Sequence, residues 1–117
     1  MPDSQLSLIT QKIIAFRDAR DWKQFHNAKD LAAGLAIEAS ELQELFLWKT
    51  PEEVSQTVSS KKTQISEELA DITWFLLLLS NELDIDLIEA VTAKYEKNAA
   101  KYPVEKAKGS HAKYDEL

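Results

Sequence analysis

Apolar residues recur at three- and four-residue intervals along most of this chain, and that spacing predicts helices. Leu6, Ile9, Ile13 and Phe16 form a stripe on a first helix that Asp3 or Ser4 can cap and that runs to about Arg20. The aromatic and polar stretch DWKQFHNAKD follows and reads as a loop with a short turn. Asn27 or Asp30 can cap a second helix ending near Trp48. Thr50-Pro51-Glu52-Glu53 is a restart signal, with a Thr cap, Pro at the first helical position and Glu three residues after the cap. That helix is short and polar and fades into SQTVSSKKTQ. Ser60 or Thr63 starts a long helix to about Leu83. Asp84 or Asp86 caps a last helix that Pro103 stops just after Lys101. The tail PVEKAKGSHAKYDEL has no clear periodicity. These elements predict an all-α bundle of four to five helices in one domain over 1–117, with a core at about 4–102 and a tail at 103–117.

Two pairs of acids interrupt the apolar faces. Leu31, Leu35, Leu42 and Leu45 lie on one side of the second helix at about 100° per residue, and Glu38 and Glu41 fall inside that side. On the long helix, Ile65, Ile72, Phe75 and Leu79 define the face, and Glu68 and Asp71 again fall inside it. Like charges three apart share a helix face and repel by roughly 0.2–0.5 kcal/mol per pair. Inward carboxylates are disfavoured in a dry core unless a partner compensates them. The nearby bases Lys49, Lys61 and Lys62 lie at or beyond helix ends, so salt bridging fits poorly. A divalent cation with oxygen ligands is the natural compensation. The donor set holds no sulfur or imidazole, which favours Mg²⁺, with Mn²⁺ as substitute, over zinc or copper. Neither histidine, His26 or His111, follows an acid by three positions, so the Glu-x-x-His signature of di-iron bundles is absent. Glu44 and Glu67 project roughly 100–120° away from Glu38 and Glu68 and read as solvated or supporting positions.

The long helix is apolar almost all round from Ile72 to Leu79, which predicts burial on more than one side and a subunit interface. Hydrophobic residues make up 44% of the chain, enough for a globular fold. Two glycines and three prolines leave little room for a turn-rich β fold. Cysteine is absent, which excludes disulfides and thiol chemistry and fits a reducing cytoplasm. A net charge of −6 without a basic block speaks against nucleic acid as a partner. An anionic small molecule stays compatible if metal ions reverse the local charge. The start MPDSQLSLIT does not read as a signal peptide, and the apolar run Trp74 to Leu79 is far too short to span a bilayer. The terminal Tyr114-Asp115-Glu116-Leu117 is not the KDEL retrieval signal.

Glu38-Ala-Ser-Glu41, followed after 26 residues by Glu68-Leu-Ala-Asp71, resembles the ExxE…ExxD signature of the MazG-like all-α NTP pyrophosphatases. DWKQFHNAKDLA, ELFLWK, EELADI and KYEKNAAKYP…KGSHAKYDEL resemble the small dCTP pyrophosphatase branch, over about residues 6 to 117. The resemblance implies Mg²⁺-dependent hydrolysis of a nucleoside triphosphate to the monophosphate and pyrophosphate, a nucleotide-pool house-cleaning activity. It implies metal ligation by Glu38, Glu41, Glu68 and Asp71, with Glu41 a candidate to orient or deprotonate the water. It implies phosphate contacts from Lys94 and Asn98, which share a helix face, assisted by Lys101 and Tyr102. It places Trp22, His26 and Trp48 at base- or sugar-binding positions. Without it, Lys94 reads as a solvated lysine, and Trp22 with Phe25 reads as a pin holding the loop to the core. It further implies a homo-oligomer, a tetramer built as a dimer of dimers.

Two departures from the branch pattern stand out. A tyrosine four residues after the last acid is replaced by Phe75, and an arginine-rich stretch before Tyr-Pro is replaced by Ala99-Ala100-Lys101. The expected substrate is dCTP, with dATP or a modified dNTP as the alternative. A non-catalytic helical oligomer that binds nucleotide or a partner protein is the competing reading, and the acid tetrad, which a pure scaffold does not need, separates the two. An antitoxin-like regulator fits poorly, since no basic DNA-reading element is visible.

Overall fold

The computed structural model describes residues 4–117; Asp3, the alternative first cap, lies outside them. Helix α1, Gln5–Ala19, is capped by the Ser4 side chain, which accepts from the Ser7 N–H at 3.1 Å. Helix α2, Ala28–Glu44, is capped by Asn27, which accepts from the Asp30 N–H at 2.8 Å. Helix α3, Pro51–Ser60, begins with the full reciprocal capping box of Thr50 and Glu53. Helix α4, Lys62–Glu82, follows, and α5, Leu87–Lys101, is capped by Asp86. A one-turn α6, Val104–Ala107, lies in the tail. The five longer helices match the expected four to five, and among the described residues there is no strand.

Three boundaries differ from the sequence expectation. Helix α2 ends at Glu44 rather than near Trp48, because its last turn tightens. The N–H groups of Leu45, Phe46 and Leu47 donate to carbonyls three residues back, and Trp48 then enters the left-handed region at φ 63°. The α3 helix does not fade but continues to Ser60, where the buried Thr57 ties it down. Neither Ser60 nor Thr63 caps α4; Lys61 alone separates it from α3, with no side-chain cap.

Contacts divide the chain into two compact units, one through Asp84 and the other Ile85–Leu117. In the first, α4 packs chiefly along α2 and also touches α1 and α3. Its buried hydrophobic side chains are Ile13, Leu31, Leu77 and Leu78. Burial of a Leu or Ile side chain contributes roughly 1.5–3 kcal/mol. The face of Ile65, Ile72, Phe75 and Leu79 is half-buried, and Leu77 and Leu78 on another side are the most buried, in keeping with a stretch that is apolar almost all round and meets neighbours on more than one side. Arg17 is also buried, its guanidinium held by the adjacent Asp18 at 2.8 Å. In the second unit, α5 has no buried residue, and Ile88, Val91 and Tyr95, on one helical face, are all at least 60% exposed. Tyr102 meets Tyr114 edge-on at 6.3 Å, and the Lys101 ammonium sits 4.8 Å from the Tyr114 ring centre, so the tail folds back on the end of α5.

Candidate active site

The periodicity put Glu38, Glu41, Glu68 and Asp71 on inward faces; Glu38 and Glu68 are half-buried there, whereas Glu41 and Asp71 are exposed at the edge of the faces, and the structure brings Glu38, Glu41 and Glu68 together. One carboxylate oxygen from each lies within 4.8 Å of the others. Glu38 and Glu41 stand on α2, and Glu68 stands on α4, so the principal helix pair of the fold builds the cluster. Glu38 and Glu68 are half-buried and Glu41 is exposed. The Oε2 atoms of Glu38 and Glu68 are buried and have no hydrogen-bond donor. Among the described residues the two ion pairs are Arg17–Asp18 and Lys29–Asp30, neither of them at the cluster. Lys49, the nearest base in sequence to Glu41 on the C-terminal side, instead donates to the Thr57 hydroxyl at 2.8 Å. Salt bridging therefore does not compensate these acids.

Burial pushes the Glu38 carboxyl up to about 7, reinforced by hydrogen bonds with Glu68 and Glu41 and by the negative charges of Glu41 and Asp71. Glu68 is also raised, first by burial and further by the charges of Glu41 and Asp71, while its hydrogen bond with Glu38 acts in the opposite sense. Asp71, the fourth acid of the sequence pattern, is exposed and stands outside the trio, yet its charge acts on both buried members. Glu44 and Glu67 are exposed.

These residues fit a divalent cation. The donors are all oxygen, and two of them are buried without partners. Oxygens bound to one Mg²⁺ at about 2.1 Å lie at most about 4.2 Å apart. Three atoms already within 4.8 Å of one another reach that spacing by small side-chain rotations. The cluster could therefore hold a divalent metal ion, with Glu38, Glu41 and Glu68 as ligands and Asp71 alongside.

The aromatic candidates differ in how they are held. Trp22 follows Asp21, which turns the chain at φ 55°, and its N–H donates to the Arg17 carbonyl. Its ring meets Phe16 edge-on at 5.8 Å, and Phe16 in turn meets Trp74 edge-on at 5.2 Å. Trp22 is thus pinned on one side and open on the other. His26 is half-buried, with Nδ1 buried and unpartnered. Trp48 is 92% exposed, a large aromatic surface presented by a left-handed residue. In the second unit, Lys94 and Asn98 stand one turn apart on α5, both exposed, and the Asn98 carbonyl accepts from the Tyr102 N–H. Gly34 and the Phe75 ring, which carry no chemistry, were not singled out together by sequence reasoning; their contact depends on the register of α2 against α4, which a one-dimensional pattern does not contain.

A helical bundle with a carboxylate cluster on its central helix pair is the class of fold that could hold a divalent cation between helices. The comparisons narrow it. The profile of the MazG-like family matches residues 34–117. The chain is 39% identical to dCTP pyrophosphatase 1 of Bos taurus over 87% of this chain and 62% of that protein. It is 36% identical to dCTP pyrophosphatase 1 of Homo sapiens over 99% of this chain and 69% of that protein. It thus spans about two thirds of the length of these curated relatives. The crystal structure of a pyrophosphatase from Archaeoglobus fulgidus DSM 4304 superposes with a TM-score of 0.83 at 36% identity, covering 88% of this chain and 96% of that one. The chain belongs to the MazG-like family.

Proposed function

We propose that this chain hydrolyses the bond between the α- and β-phosphates of a deoxynucleoside triphosphate, with dCTP preferred and dATP or a modified dNTP as the alternative. Water is consumed, and the products are the monophosphate and pyrophosphate. That the chain is a nucleotide pyrophosphohydrolase follows from its family, from relatives named dCTP pyrophosphatase 1 and from a structural neighbour described as a pyrophosphatase. The single observation that carries the chemistry is the trio of Glu38, Glu41 and Glu68 with two buried oxygens that lack partners.

In this reading Glu38, Glu41, Glu68 and Asp71 hold Mg²⁺, for which Mn²⁺ can substitute. When bound, the cation neutralises phosphoryl charge and lowers the pKa of a water. Glu41, the exposed member of the trio, accepts the proton of the attacking water or orients it. Lys94 and Asn98, with Lys101 and Tyr102, bind phosphate oxygens. Trp22 and Trp48 offer faces for the base, and the free Nδ1 of His26 hydrogen-bonds the sugar or base edge. The whole chain acts as one domain and assembles as a homo-oligomer, a dimer of dimers. The exposed apolar face of Ile88, Val91 and Tyr95 supports assembly, as does the small core of a single chain. No helix among the described residues is long and apolar enough to cross a membrane. A cytoplasmic house-cleaning role agrees with the lack of cysteine.

The test is product analysis on a panel of dNTPs with Mg²⁺, resolving monophosphate, diphosphate, pyrophosphate and phosphate. Monophosphate plus pyrophosphate, strongest for one base, is expected. Release of orthophosphate and a diphosphate would overturn the assigned bond. Silence across unmodified and modified dNTPs by folded protein would favour a binding oligomer instead.

A further inference from the structure

Gly34 is placed where a side chain would force the Phe75 ring or a helix to move. A Cβ built on it would lie 2.4, 2.7 and 2.8 Å from Cε1, Cδ1 and Cζ of Phe75, distances that real Cβ contacts do not reach. Gly34 is one helical turn before Glu38 on α2, and Phe75 is one turn after Asp71 on α4. Gly34 meets Phe75 while Glu38 meets Glu68, so α2 and α4 run antiparallel and the ring lies about one turn below Glu38 and Asp71 and about two turns below Glu68. We infer that the edge of Phe75 seated on the bare backbone at Gly34 is an interlock that sets the spacing of α2 and α4 and thereby positions Glu38 and Glu68 for the cation.

The magnitudes support transmission over one turn. Relieving the closest contact to an ordinary 3.4 Å requires about 1 Å of movement by the ring or by one helix. A helix is stiff over a single 5.4 Å turn, so a shift of its backbone at Gly34 reaches Glu38 nearly undiminished. Metal–ligand distances tolerate only about ±0.2 Å, and a preorganised site about 0.5 Å. A displacement on the order of 1 Å adds to the roughly 0.6 Å that side-chain rotation must already close, and the sum exceeds what the ligand set absorbs without strain. Gly34 is a positioning residue in this scheme; it touches neither cation nor substrate. The ring is half-buried and follows Trp74, which is fastened edge-on to Phe16, so its backbone has little freedom to retreat.

The inference rests on the metal-site reading above, and the experiment separates the two. Mn²⁺ binding is measured by electron paramagnetic resonance titration of nucleotide-free protein, with melting temperature and helicity recorded alongside. Gly34→Ala is expected to raise the Kd for Mn²⁺ at least tenfold, on the order of the losses seen when groups supporting metal ligands are removed. Phe75→Leu in the Gly34→Ala background removes the obstructing ring edge and is expected to return the Kd to within about threefold of wild type. Phe75→Ala alone, which tests the interlock even if Gly34→Ala does not fold, is expected to weaken binding severalfold while the helices persist. Wild-type protein that binds no Mn²⁺ overturns both the metal site and the interlock. Wild-type binding with an unchanged Kd in folded Gly34→Ala, in folded Phe75→Ala, or with no recovery in the double variant overturns the interlock alone.

Discussion

The two units of the chain differ in almost every physical respect. The residues through Asp84 hold 14 acids and 8 bases, while Ile85–Leu117 hold six of each, so the whole net charge of −6 belongs to the first unit. The first buries Ile13, Leu31, Leu77 and Leu78, and it holds two buried carboxylate oxygens without hydrogen-bond partners. The second presents α5 with no buried residue, an exposed apolar stripe and the lysines of the proposed phosphate contacts. The contrast teaches that the acids and the cations of the proposed reaction answer to different forces. The first unit spends packing energy to hold like charges close, an arrangement that makes sense with a cation present. The second carries exposed charges that are individually weak in water, and in the proposed reaction they act once a polyanion is bound.

The sharpest test of that contrast removes a single charge from the acid group. Glu41→Gln and Asp71→Asn are each expected to lower turnover by at least about 100-fold, beyond the 10–100-fold losses typical of groups that merely support ligands. Circular dichroism should show the helices intact; near-normal turnover in both variants would leave the acid site without a role. In the second unit, Lys94→Ala is expected to cost about 10- to 100-fold in kcat/KM, the range of one charge-assisted hydrogen bond of roughly 1.5–3 kcal/mol. Melting temperature should not move, because Lys94 is exposed. Equal losses from Lys97→Ala would show instead that only the overall charge of α5 matters.

Ligand linkage gives a smaller effect. Mg²⁺ together with a dNTP at 100 times its Kd is expected to stabilise the protein by about 2.7 kcal/mol, read as a rise in Tm, and a chelator should abolish the rise. Stabilisation by the nucleotide that ignores the chelator would break the link between acids and phosphates. The smallest effect concerns the raised carboxyl of Glu38. A carboxyl raised from 4.5 to about 7 holds its proton more tightly folded than unfolded. Without metal, stability therefore falls as pH rises from about 4.5 to about 7, and the loss is complete above that range. Glu38→Gln should raise the Tm of metal-free protein by a few degrees at pH 8, and it should change little at pH 4.5, where the wild-type carboxyl is already mostly neutral. A Tm difference independent of pH would point to packing rather than charge.

Much of this was legible in the sequence for reasons that are local. Ser4, Asn27, Thr50 and Asp86 cap helices as their side-chain chemistry dictates, and the Thr50–Glu53 box forms in full. Glu38 and Glu68 fall inside apolar faces because the helical period places them there, and both are half-buried. Other features were out of reach. The end of α2 at Glu44 depends on Trp48 taking a left-handed conformation, which an aromatic residue gives no reason to expect. Leu77 and Leu78 outrank Phe75 and Leu79 in burial because α1, α2 and α3 all meet α4; an all-round apolar stretch implies several neighbours but does not rank its sides.

By itself the sequence determined the helical class, the caps, and the angular placement of each acid about its own helix axis. These follow from a period of 3.6 residues and from side chains that satisfy nearby backbone N–H groups. The tertiary structure alone decided how far α2 slides along α4. That register selects Glu38, Glu41 and Glu68 as the trio, leaves Asp71 beside it, and seats Phe75 on Gly34. The physical reason is that periodicity specifies rotation about one axis, whereas register between two helices is set by which side chains of one fit the grooves of the other.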